Sequence, residues 1–145
     1  MGALKDKLAN ADQRQHVIDE ACNILDAEVA DKGGLSGIAI KAAYGVVKNI
    51  KPGFIRQVVD TLLDEFLDAV EKVQATAGEG VKASVAIRNN PGQLADNLLA
   101  VTDRRAAKAE RAVVQSTYEK LRPSAKKHVE ASVPRLAQLL ERLGE

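Results

Sequence analysis

The sequence predicts an all-α fold, a compact bundle of five to seven helices. Apolar residues recur at steps of three and four through most of the chain, which lines them along one side of a helix. Alternation with a period of two, the mark of a half-buried strand, is absent over any useful length. Gly33-Gly34, Pro52-Gly53, Gly78 and Pro91-Gly92 divide the chain into segments of helical length.

Leu4 and Leu8 suffice for a short leading helix. Asp12 with Gln15 reads as a capping box, and Val17, Ile18, Ala21, Ile24, Leu25 and Val29 carry a first major helix from about Asp12 to Asp31. Ser36 is placed to cap the next helix, which is apolar on nearly every side from Ile38 to Ile50 except at Lys41 and Lys48. Such a helix is expected at the centre of a bundle, with Gly45 marking a close crossing. Lys51-Pro52-Gly53 should turn the chain, because a residue before proline avoids helical angles and proline suits a first turn.

The third helix has the clearest stripe, Ile55, Val58, Val59, Leu62, Leu63, Phe66, Val70 and Val73, and is expected to end near Gly78. A short helix over about 81–88 precedes Asn89-Asn90-Pro91-Gly92, and a long one is predicted from Gln93 to Leu121. Its stripe passes from Leu94, Leu98 and Val101 to Ala106, Ala109, Ala112 and Val113, small residues that permit a tight approach. The last helix should open at Pro123 and present a seam of Val129, Val133, Leu136, Leu140 and Leu143, kinked or broken at Pro134 with Ser132 as a cap. A weak helical-hairpin repeat is a further reading, since Pro52-Gly53 and Pro91-Gly92 both precede an apolar stripe.

A chain of 145 residues fits one domain, 1–145, and 46% hydrophobic with 28% charged residues fits a globular protein. With no Trp and only Tyr44, Phe54, Phe66 and Tyr118 as aromatics, the core must be aliphatic. Cys22 is the lone cysteine, so no internal disulfide is possible and the expected address is cytoplasmic. The first residues lack the apolar core of a signal peptide, and Asp6 stands where a myristoylation motif needs Ser or Thr. Charged residues interrupt every apolar run before the roughly 18 residues of a membrane span.

Charge is segregated although the total is only +1. Residues 35–57 hold Lys41, Lys48, Lys51 and Arg56 with no acid, 58–79 are strongly acidic, and 98–127 are basic again. Asp60, Asp64, Asp68 and Glu71 share one helical face, as do Arg104, Lys108 and Arg111. Each set reads either as a solvated outer face or as a candidate interaction surface for a protein partner or a second copy. Nucleic-acid binding is a weaker alternative, because the net positive excess is small and stacking aromatics are few.

No catalytic, cofactor or metal constellation emerges. His16 and His128 lack a second His or Cys at ligand spacing, and Glu-x-x-His pairs are missing. Asp64, Glu65 and Asp68 have the spacing of an exposed stripe rather than of a desolvated acid–base pair. Gly33-Gly34-Leu35-Ser36-Gly37 lacks the Walker lysine and a preceding strand. The expected function is therefore a non-enzymatic interaction or scaffolding domain that self-associates or docks a protein. The alternative is a carrier of a lipid or other apolar small molecule in a helical groove.

Gly34-Leu35-Ser36-Gly37-Ile38-Ala39-Ile40-Lys41, Lys51-Pro52-Gly53-Phe54, Tyr118-Glu119-Lys120-Leu121-Arg122-Pro123 and His128-Val129 together resemble a family of small uncharacterised bacterial helical proteins. The resemblance spans most of the chain. It implies a bacterial, cytoplasmic setting and transfers no activity, cofactor or site residue.

Overall fold

The computed structural model describes residues 3–144, which form seven helices and no strand. They are α1 (Ala3–Asp6), α2 (Ala11–Asp31), α3 (Gly34–Lys48), α4 (Phe54–Ala77), α5 (Ala83–Asn89), α6 (Pro91–Ala107) and α7 (Ala112–Leu143).

Local chemistry sets most of the boundaries. Asn10 caps α2, its side-chain oxygen accepting from the backbone N–H groups of Asp12 and Gln13 at 2.9 and 3.1 Å. The cap therefore lies two residues before the expected Asp12. Gly33 occupies the cap position of α3, and Gly34 takes φ +70°, so a glycine rather than Ser36 starts that helix. Gly53, at φ +75°, makes the turn into α4, whereas Pro91-Gly92 already lies within the first turn of α6. The two Pro-Gly steps thus have different roles.

The core is aliphatic. Leu63, Leu67, Val70 and Val73 of α4 meet Val17 and Ile18 of α2, Leu94 of α6 and Val133, Ala137 and Leu140 of α7. Each fully buried Leu, Ile or Val contributes roughly 1.5–3 kcal/mol. Short α5 fills the space between α4 and α7 by burying Ala83, Ser84, Ala86 and Ile87. Alanine makes this wedge possible, because small side chains let neighbouring backbones come close.

Three expectations change. The long helix predicted over 93–121 breaks at 108–111, and α7 instead runs unbroken through both Pro123 and Pro134. The side-chain amide of Gln115 donates to the carbonyl of Ala109 at 2.8 Å, and the guanidinium of Arg122 reaches back to Asp103 at 2.8 Å. These tertiary bonds fix a tight α6–α7 hairpin. The seam of Val133, Leu140 and Leu143 is buried in the core and is not free to pair elsewhere.

Third, α3 lies at the outside, packed on α2, α4 and α7, with Gly37 as its only buried residue. A Cβ at Gly37 would stand 2.6 Å from the carbonyl carbon of Lys32, while one at Gly45 would meet nothing within 4 Å. The close approach is therefore at Gly37.

Candidate binding surfaces

The acidic face of α4 serves mainly to clamp neighbouring elements. Arg14 of α2 reaches Asp60 at 2.8 Å and Asp64 at 3.1 Å, and Lys5 of α1 reaches Asp68 at 3.3 Å. Glu71 is half-buried on the same helix. On the basic face, Arg104 lies 4.0 Å from Glu65, which also pairs with Arg105. Lys108 and Arg111 are exposed in the α6–α7 turn and form no ion pair with a described residue. The structure thus separates the two candidate faces into an acidic one neutralised from within and a basic one left partly open.

Two surfaces of a different character appear. The first is the outer side of α3, where Leu35 is 88%, Ile38 67% and Val46 49% exposed. Ala39 and Ala42 are exposed between them, and at 3.6 residues per turn all five fall on one face. Ile40, Ala43, Tyr44 and Val47 turn inward and are half-buried, so α3 is apolar on both sides. The sequence pattern shows this two-sidedness, but the outer side faces solvent instead of the centre of the bundle.

The second is a groove of about 460 Å³ where the start of α4, the end of α6 and the start of α7 converge. Phe54, Val58 and Leu62 form one wall, and Ala106, Ala109 and Val114 face them. The three hydroxyls that line it are engaged by the protein. The Thr61 hydroxyl donates to the carbonyl of Gln57 at 2.9 Å. The Thr102 and Tyr118 hydroxyls stand 2.6 Å apart, and Tyr118 donates to Asp103 at 2.5 Å. Burial, then the bond to Asp103, raises the Tyr118 pKa, while the bonds from Arg122 and Tyr118 hold Asp103 below the usual carboxylate range. No local pattern announces the groove, since its walls come from separate segments of chain.

Groups able to do chemistry are scattered. His16 lies 3.0 Å from Glu20 one turn on and is exposed, whereas Nε2 of His128 is buried without a hydrogen-bond partner. Burial raises the Cys22 thiol pKa, which disfavours the reactive thiolate. Burial and a hydrogen bond to Asp26 raise the Tyr44 pKa, with the Lys48 ammonium 5.4 Å from the ring centre. Among the described residues no three His, Cys, Asp or Glu are grouped to hold a metal ion. No described helix is long and apolar enough to cross a membrane.

Fold and surfaces together define an all-helical protein with an apolar helix turned to solvent and an apolar groove at the far end of its α6–α7 hairpin. The chain belongs to a family of unknown function, DUF6918, whose model matches residues 4–143. No curated protein and no solved structure matches it.

Proposed function

We propose that the chain is a non-enzymatic interaction domain that pairs with a second copy of itself through α3, in the cytoplasm of a bacterium. The solvent-facing stripe of that helix supports this most strongly, because a helix apolar on all sides normally has both sides covered. Leu35 and Val46 end the stripe, and Ile38, Ala39 and Ala42 form its middle. When two such helices run antiparallel, Leu35 meets Val46 of the second copy and Ala39 meets its Ala42. Large residues then meet at the ends and the alanines pair at the crossing with Ile38 beside them, where axes can approach to roughly 8–10 Å. A two-fold contact requires this kind of self-matching.

Charge and area set the strength. Lys48 is paired with Asp26 at 3.7 Å, whereas Lys41 beside the stripe has no ion pair with a described residue, so the two copies repel at the rim chiefly through Lys41. Exposed charge pairs contribute only about 0–1 kcal/mol. Covering a side chain as open as Leu35 or Ile38 is worth up to roughly 1.5–3 kcal/mol, so attraction wins. The helix has 15 residues and is about 22 Å long, and one stripe on it falls short of the roughly 800 Å² per partner of stable complexes. A weak dimer is the expected product.

Sedimentation velocity over a concentration series tests the proposal. The wild type should move from monomer towards dimer, more readily in high salt, which screens Lys41. Ile38→Glu should remain monomeric with its helical content intact. A wild type that stays monomeric up to its solubility limit would overturn the proposal.

A further inference from the structure

We infer that the groove between α4, α6 and α7 is a binding site for a single-chain aliphatic carboxylate, its chain lying along Phe54, Val58 and Leu62 and its head at Arg111. This goes beyond pairing through α3, with which the groove shares no lining residue. A volume of about 460 Å³ falls within the roughly 300–1,000 Å³ of small-molecule sites.

The interior selects an aliphatic body. Phe54, Val58 and Leu62 recur at four-residue steps on α4 and are only half-buried, so covering them removes apolar surface from water. Thr61, Thr102 and Tyr118 spend their hydroxyls on partners inside the protein. A polar ligand body would lose its water and gain little in return.

The rim selects the charge of the head. Residues 104–111 carry Arg104, Arg105, Lys108 and Arg111 against Glu110 alone, and of these five Arg105, Glu110 and Arg111 line the groove, so bases outnumber the acid both along the segment and at the rim. Arg105 is engaged by Glu65, whereas Arg111 lines the groove, is exposed and has no ion pair with a described residue. A guanidinium offers paired donors that match a carboxylate. Arg111 also holds the cap position of α7 without a side-chain cap, so the helix end adds field of the same sign.

Calorimetric titration of the full chain with decanoate and with nonyltrimethylammonium tests the inference, since the probes share an alkyl tail and differ in head charge. Decanoate should saturate one site at least about tenfold more tightly than the cation. Arg111→Glu should reverse that order, and Ala106→Phe, which fills the groove, should abolish binding of both. Because Ala106→Phe could disturb the α6–α7 hairpin, methyl NMR of the wild type supplies an independent readout. The Val58 and Leu62 resonances should shift with added decanoate. No saturable binding of decanoate, equal affinity for both probes, or Val58 and Leu62 shifts that follow protein concentration instead of decanoate would overturn the inference. The last result would mean that a second copy fills the groove.

Discussion

His128 couples the stability of the fold to pH. Its Nε2 is buried without a partner, and burial, then Lys32 and Lys127, holds its pKa below the usual histidine value. The unfolded chain therefore takes up this proton first as pH falls. The stability contributed by the neutral ring is complete above the ordinary value of about 6.5 and is lost as pH drops from there through the lowered folded value. Urea melts at a series of pH values should show this loss in the wild type and a flatter profile in His128→Gln. Asp103, lowered by Arg122 and Tyr118, has the same sign, and its contribution disappears only at more acidic pH. Leu67 and Leu35 mark the extremes of burial at 1% and 88% exposed. Leu67→Ala should cost about 2–5 kcal/mol in a urea melt, while Leu35→Ala in dilute, monomeric protein should stay within about 0.5 kcal/mol. Spacing alone placed Asp60, Asp64 and Asp68 on one face, but not their partners, because Arg14 and Lys5 come from distant positions in the chain.

At the scale of the element, α4 was the most legible part of the chain, since its stripe covers enough turns for periodicity alone to place it. The α6–α7 region was the least legible. Ala106, Ala107, Lys108, Ala109, Glu110 and Arg111 are all good helix formers, so nothing in their propensity announces the break; contacts of Gln115 and Arg122 across the hairpin set it. Pro123 misled in the opposite direction. It reads as the start of a helix, yet it lies inside α7, where its ring leaves the carbonyl of Glu119 without the usual helical donor. Pro123 is exposed, so replacing it disturbs no core packing. Pro123→Ala should raise stability by up to about 3 kcal/mol, read from the urea midpoint. An unchanged or lowered midpoint would show that α7 depends on the proline for its path across α5 and α6.

For the molecule as a whole, composition and period were enough to identify an aliphatic, all-helical fold. They could not locate its open surfaces. The groove joins 54–62, 102–106 and 109–118, segments that meet only after folding. The outer face of α3 was visible as a pattern but placed at the centre, because periodicity shows that a face is apolar and not which neighbour covers it. Pulsed electron resonance on Lys41→Cys, spin-labelled in a Cys22→Ala background, tests that face most directly. Lys41 flanks the stripe close to the expected two-fold axis, so concentrated protein should show a short separation between labels on two copies, abolished by Ile38→Glu. Absence of inter-copy coupling, or coupling that survives Ile38→Glu, would contradict pairing through α3.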